Sequence, residues 1–324
     1  MKKVIGLGNA LVDIMTMIDN DDFLSSNNLP KGSMQLVDRD LSEKIHEDSK
    51  IFTQKVTSGG SAANTIYSLA KLGIESSYIG KVKNDELGNF FKSDMEGNNI
   101  KPILLSSETP SGKAMALVSK DGERTFATYL GAAVELNANE LKSEFFSNFD
   151  IFHIEGYLVY NHELMIKAAE LAKQNGLTIS LDLASYNVVE DNFEFLKSYI
   201  KQYVDIVFAN EEEAKAFTKM EPEDALHNIS EYCDIAIVKI GSKGSLIKKG
   251  GIVYKAGIIK ANMIDTTGAG DSYAAGFIYG LINGYDLDKC GNIGAILSGK
   301  VIEFIGAKPD EKTWSEIKQL ISEL

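Results

Sequence analysis

Arginine is nearly absent from this sequence: Arg39 and Arg124 are the only two among 324 residues, and lysine supplies the other positive charges. Lysine and arginine together number 33 against 46 aspartates and glutamates, a formal charge of −13. That balance argues against a nucleic-acid or anionic-membrane binder, because both partners require a basic face. Cysteine is equally scarce. Cys233 and Cys290 form no CxxC, and His46, His153, His162 and His227 form no HxxxH or HExxH pattern. Neither a disulfide framework nor a structural zinc site is expected. No stretch reaches the ~20 apolar residues of a membrane helix. Asn9 interrupts the apolar run VIGLGNALV and Asp13 ends it, so it does not read as a signal peptide. The expectation is a soluble, cytoplasmic protein.

What is present is a regular alternation of apolar strands with amphipathic helices. VIGLGN is the first strand, followed by a less regular region to about Asp40. Ser61 can cap a helix that stops at Gly73. KAMALVSK and ERTFATYL flank Asp121-Gly122, which signals a hairpin with a two-residue turn. From Ile151 onward strands and helices alternate, with a small hairpin over SLIKKGGIVYKAG and helical stretches at Asp271–Leu281 and Asp288–Phe304. Such alternation implies parallel βαβ units, with ligands collecting at the carboxyl ends of the strands. Asn9, Asn210, Gly241 and Asp265 fall at or just beyond such ends.

The glycines restrict the chemistry. Gly6-Leu7-Gly8 is half a dinucleotide fingerprint, but position 11 is Leu and Asp13 comes too early to be its ribose carboxylate. No GxxxxGK[ST] occurs. The strongest element is Asp265-Thr266-Thr267-Gly268-Ala269-Gly270-Asp271, a glycine loop running into a helix. Its amides can converge on an anion at the positive end of the helix, with Asp271 placed to take a proton from a hydroxyl. The plainer alternative is that Asp271 only complements the helix dipole. A second cluster, Gly59-Gly60-Ser61 with Asn64 one turn on, lets a ligand touch the backbone or is an ordinary helix cap. Asp13 can accept two hydrogen bonds from a vicinal diol, or sit in a surface turn. Arg124 is either a solvated hairpin charge or a phosphate ligand. Asn210 and Glu213 either cap a helix or order water around a phosphate-bound Mg²⁺. Gly241-Ser242-Lys243-Gly244 is either a polar turn or a phosphate-binding loop.

Taken in order, GNALVDI, GGSAANTIYSLAKLG, DGERT, NEEE, GSKG and DTTGAGDSYAAGF resemble the ribokinase-like (PfkB) carbohydrate and nucleoside kinase family over nearly the whole chain. The resemblance implies a three-layer α/β/α core with a mostly parallel central sheet and a small β lid. It further implies one unit over 1–324, with a discontinuous lid at about 14–40 and 102–130. It makes Asp271 the catalytic base and Gly268, Ala269 and Gly270 the anion hole, with Arg124 assisting. Asn9, Asp13, Gly59, Gly60, Ser61 and Asn64 would hold the acceptor. Within the family the chain is most similar to adenosine kinases, so Tyr157 would stack on a purine, and Gln35 with its neighbours Met34 and Leu36 would lie where the lid covers it. ATP would lie against Asn210, Glu213, Lys239, Gly241, Ser242, Gly244, Thr266 and Asn292. Mg²⁺ would be held through water by Asn210 and Glu213, and a monovalent cation such as K⁺ near Asp265 and Gly306. The implied reaction is ATP-dependent phosphorylation of a purine ribonucleoside at its 5′-hydroxyl. Ribose or another sugar as acceptor, and a nucleoside-binding regulator without turnover, are the competing readings. The sequence leaves the oligomeric state open, since an exposed lid edge can pair with another subunit.

Overall fold

The computed structural model describes residues 2–324. Fourteen strands form two sheets. The first eight are β1 (Val4–Leu7), β2 (Leu11–Met17), β3 (Met34–Leu36), β4 (Gln54–Gly59), β5 (Ser76–Lys83), β6 (Ile100–Ser107), β7 (Gly112–Val118) and β8 (Arg124–Tyr129). Then come β9 (Ile151–Glu155), β10 (Thr178–Asp182), β11 (Ile206–Asn210), β12 (Ile235–Lys239), β13 (Ser245–Lys249) and β14 (Ile252–Ala256).

The central sheet has nine strands in the order β14-β13-β12-β11-β10-β9-β1-β5-β6. Its strands are parallel from β12 to β6, and only the β13–β14 hairpin at one edge runs antiparallel. Helices cover both faces, which is why β1 and β9 are buried at every position rather than alternating. On one face pack the helices Ser61–Lys71, Ala269–Ile282, Leu287–Val301 and Glu311–Ser322. The other face is buried by His162–Gln174, Phe193–Tyr203, Glu211–Thr218 and Pro222–Ile229. The fold is the expected three-layer α/β/α arrangement.

Strand order dictates where a ligand can bind. From β1 the chain winds outward to β5 and β6, then returns to place β9 on the other side of β1. At that reversal the connections diverge, leaving a crevice beyond the carboxyl ends of β1 and β9.

The smaller sheet, β3-β8-β7-β2-β4, closes over this crevice. Its outer face is buried by the helix Arg39–Ser49, through Val12, Ile14, Ile45, Met115 and Leu117. Its composition corrects the boundaries expected at 14–40 and 102–130. Residues 102–107 lie in β6 of the central sheet, whereas β4 at 54–59 and the start of β2 belong to the small one. The stretch before Asp40, expected to be irregular, contains β2 and β3. Its signal was weak because β3 is three residues long and β2 mixes buried and exposed positions without strict alternation.

The β7–β8 turn also differs from expectation. Ser119 and Glu123 close a three-residue loop through Ser119 N–H donating to the Glu123 carbonyl, and Gly122 takes the left-handed position at φ 85°. Asp-Gly therefore occupies the second and third loop positions rather than the two corners of a tight turn.

Candidate active site

Five neighbouring strands present a polar residue at the carboxyl end of the sheet. Glu155, Asp182, Asn210 and Lys239 are the last residues of β9, β10, β11 and β12, and Asn9 lies just beyond β1. All five line one cavity of about 1130 Å³, roofed by the small sheet. The glycine loop before the helix Ala269–Ile282 enters from the side, contributing Thr266, Thr267, Gly268, Gly270 and Asp271.

Asp271 stands in the first turn of that helix and is held from the opposite helix start. Ser61 Oγ donates to its Oδ1 at 2.7 Å, Asn64 Nδ2 donates to its Oδ2 at 3.0 Å, and Thr65 Oγ1 donates to its carbonyl at 3.2 Å. Burial pushes the Asp271 carboxyl up to about 6, opposed by Ser61 and Asn64 and reinforced by the charge of Asp182. A carboxylate so placed is ionised at neutral pH yet basic enough to accept a proton. Gly268 caps the helix at φ 73°, a conformation that costs glycine little. The amides of Gly270 and Asp271 have no acceptor in the described protein, whereas Ala269 N–H already donates to the Thr266 carbonyl at 3.1 Å. The expected anion hole is thus narrowed by one amide, because the turn that creates the helix start consumes it.

Toward the start of the helix Ser61–Lys71, Glu155 organises the crevice. Its Oε1 accepts from Asn9 N at 2.9 Å and Asn9 Nδ2 at 2.7 Å, and its Oε2 accepts from Ala62 N at 2.9 Å. It therefore ties the end of β1 to the start of the helix Ser61–Lys71. Burial pushes its carboxyl up to about 7 despite those three donors. With their NH₂ groups committed to carboxylates, Asn9 and Asn64 are left with amide oxygens that find no donor among the described residues. Those oxygens suit a ligand that brings hydroxyl donors. Asp13, on β2, adds a carboxylate that burial pushes up to about 7. Gly59 packs its backbone directly on that carboxylate, where a side chain would collide with it.

At the other end, Lys239 Nζ meets Asp182 Oδ2 at 3.1 Å and lies where a Cβ on Gly270 would approach it to 3.0 Å. Burial works against the Lys239 ammonium, but Asp182 and Glu213 hold its pKa above the usual lysine range. The lysine thus sets a charged group beside the free amides of the anion loop. Asn210 and Glu213 form a capping box: Asn210 Oδ1 accepts from Glu213 N at 2.8 Å, while Glu213 accepts from Asn210 N and Nδ2 at 2.8 and 2.6 Å. Each Glu213 and Asp182 oxygen already accepts one hydrogen bond, and its remaining lone pairs suit a water-mediated contact to a cation. That fits Mg²⁺, which keeps several waters and arrives with nucleotide phosphates.

Arg124 reaches from the small sheet into the glycine loop. Its Nη1 donates to Thr267 Oγ1 at 2.7 Å and pairs with the buried Asp265 carboxylate. Asp265 also accepts from Thr267 N at 2.6 Å and Gly306 N at 2.7 Å, so a guanidinium faces the region where a monovalent cation was expected.

The cavity brings together Asn9, Asp13, Gly60, Ser61, Asn64, Tyr157, Asn210, Glu213, Lys239, Thr266, Gly268, Gly270 and Asp271. Gly241, Ser242, Gly244 and Asn292 do not line it. Gly244, at φ 96°, is required by the backbone, since a side chain would strike the Ala256 carbonyl. Gln35 is a correction. Strand alternation puts Met34 and Leu36 into the cavity and turns Gln35 to the other face of β3. Sequence reasoning missed Glu155 and Asp182. Their one signal was a lone acid ending an otherwise apolar strand, IFHIE and TISLD.

The raised carboxyls carry a stability prediction. In Asp13, Glu155 and Asp271 the folded pKa lies above the unfolded one, so protonation favours the native state. As pH falls from 8 through about 7 and 6, the ligand-free protein should become more stable. Scanning calorimetry should show Tm rising by a few degrees over that window, and a Tm that falls steadily would contradict the assignment.

A crevice at the switch point, a glycine loop with free amides at a helix start and a buried carboxylate of raised pKa are together the equipment of an α/β phosphotransferase. The pfkB family carbohydrate kinase model matches residues 32–314, and the chain belongs to that family. It is 34% identical to a probable sugar kinase from Rhizobium etli, whose crystal structure superposes with a TM-score of 0.88 over 98% of both chains. The crystal structure of adenosine kinase from Sinorhizobium meliloti is similar at 32% identity and TM-score 0.87, covering 98% of this chain and 99% of that one. A nucleoside kinase from Methanocaldococcus jannaschii is 31% identical over 80% of this chain and 83% of its own length. The protein is an ATP-dependent kinase of a small nucleoside or sugar. No helix of the described residues is long and apolar enough to cross a membrane.

Proposed function

We propose that the protein transfers the γ-phosphoryl group of ATP to the 5′-hydroxyl of a purine ribonucleoside, adenosine first among them, yielding AMP and ADP. The observation that carries this reading is the two-sided character of the cavity. Its lining sets the polar side chains of Asp13, Asn64 and Asp271 together with an apolar wall of Met34, Leu36, Phe126 and Tyr157. Met34 and Leu36 are more than half exposed, at 58% and 65%. A free sugar would leave most of such a wall uncovered, whereas the flat apolar face of a base covers it. Similarity to proteins named adenosine kinase and nucleoside kinase supports the same choice.

In this reading Asp13 accepts two hydroxyls of the ribose, and the Asn64 amide oxygen accepts another donor from the sugar. The attacking hydroxyl faces Asp271, which takes its proton as the oxygen bonds to phosphorus. The amides of Gly270 and Asp271, with Lys239, meet the charge that spreads over the transferred group. Mg²⁺ bound with ATP would neutralise phosphate charge, and Asn210 and Glu213 would orient its water shell. The small sheet, joined to the anion loop through Arg124, excludes water from the transfer.

A screen with labelled ATP across adenosine, other nucleosides, ribose and small sugars tests the proposal. Adenosine should exceed ribose in kcat/KM by about 10²-fold or more. Preference for free ribose over every nucleoside would reject the nucleoside reading. Saturable adenosine binding with no transfer to any acceptor in the presence of Mg²⁺ would favour a binding protein instead.

A further inference from the structure

Behind the acceptor end of the cavity, outside its lining, lies a buried cation that the reaction does not use directly. Lys308 sits in the segment 302–310 that links the helices Leu287–Val301 and Glu311–Ser322. Its Nζ donates to Asp94 Oδ2 at 2.7 Å and to Ser58 Oγ at 2.5 Å, and lies 4.7 Å from the centre of the Tyr67 ring. Asp94 Oδ2 also accepts from Ser58 N at 3.0 Å and Ser58 Oγ at 2.6 Å. Three elements distant in sequence therefore meet on the last side chain before Gly59 and Gly60. The same short segment supports the anion loop, through Gly306 N on Asp265 and Ala307 packed against Gly268.

Asp13 lies on the far side of Gly59 and accepts no hydrogen bond from the described protein. The charged groups acting on it are Lys308, which favours its ionised form, and Asp271, which opposes it. A carboxylate needs both oxygens free and ionised to receive two hydroxyls. So near a neutral titration midpoint, one compensating cation decides how much of it is available.

We propose that Lys308 is a positioning residue of the acceptor site, clamping the Ser58 end of β4 and holding a positive charge behind Asp13. Gly59, Gly60 and the Asp13 carboxylate then keep the form that takes the acceptor's hydroxyls. The proposal rests on the reading that Asp13 binds the acceptor, so its test includes a variant of Asp13 itself.

Adenosine affinity is measured by calorimetry without ATP from pH 6 to 9, alongside KM for adenosine and for ATP. Lys308→Met should weaken adenosine binding about tenfold near pH 7 while changing the KM for ATP by less than about twofold. The pH at which adenosine binding is half lost should move up by about one unit, because Asp13 loses its favourable neighbour. Lys308→Arg should restore both properties to within about threefold of wild type. Lys308→Gln keeps a donor for Ser58 and Asp94 without the charge, and should show the pH displacement with a smaller loss of affinity. If the Met variant does not fold, the Gln variant decides by that displacement. Adenosine binding unchanged at every pH would overturn the proposal. So would equal losses for adenosine and ATP with no pH displacement, which is what a merely structural clamp would produce. Asp13→Asn separates the two claims. If it binds adenosine undiminished, the role of Asp13 falls; if it weakens binding while Lys308→Met does not, only the role of Lys308 falls.

Discussion

Asp271→Asn should lower kcat by about 10³-fold while leaving the dissociation constant of the nucleoside within a few-fold of wild type. The amide keeps the volume and can still accept from Ser61, but it cannot take a proton from the attacking hydroxyl. The new NH₂ group would face Asn64 Nδ2, so that one hydrogen bond is lost while Ser61 and Thr65 still tie the helix starts at Ser61 and Ala269 together. In the wild-type enzyme kcat should fall on the acid side as the Asp271 carboxyl, which burial raises to about 6 in the ligand-free protein, becomes protonated. That limb should vanish in the variant. Transfer assays and calorimetric binding measure the two quantities separately, and an unchanged rate would remove Asp271 from the mechanism.

Gly60→Ala should cost about 10²-fold in kcat/KM for the nucleoside, with a smaller change in KM for ATP. Gly60 adopts φ 97°, and a Cβ there would strike the carbonyl oxygen of Asn9. An alanine therefore faces both a disfavoured backbone conformation and a backbone obstacle that cannot rotate away. Relief requires shifting the start of the helix Ser61–Lys71, and with it Ser61 and Asn64, which hold the Asp271 carboxylate. Steady-state kinetics with each substrate varied in turn check the prediction. Equal losses for both substrates would instead indicate global damage, which the thermal midpoint would reveal.

Much of this site was legible before any coordinates, for identifiable reasons. The glycine loop before Asp271 has a local purpose, to bring bare backbone to an anion, and local requirements leave local sequence. Asp13, Gly60 and Asn64 likewise sit in short motifs. Glu155, Asp182 and Lys308 do not. Each is a single charged residue in an otherwise ordinary stretch, and each has a partner 57 or more residues away, such as Lys239 for Asp182 and Ser58 for Lys308. Gln35 was misplaced because a three-residue edge strand offers too few positions to establish which side faces in.

Alone, then, the sequence determined the layer architecture, the strand ends that could bear ligands, and the loop chemistry suited to a phosphoryl group. Apolar periodicity and glycine placement are properties of neighbouring residues, so they survive in one dimension. Its near absence of arginine takes on a different meaning in three dimensions. Of the two, Arg39 pairs with Glu43 on an exposed helix, while Arg124 ties the small sheet to the buried carboxylate of Asp265. Only the tertiary structure decided that, together with the strand order that opens the crevice between β1 and β9. It also decided the pKa values in the cleft, because burial and the approach of charges distant in sequence exist only after the chain has folded.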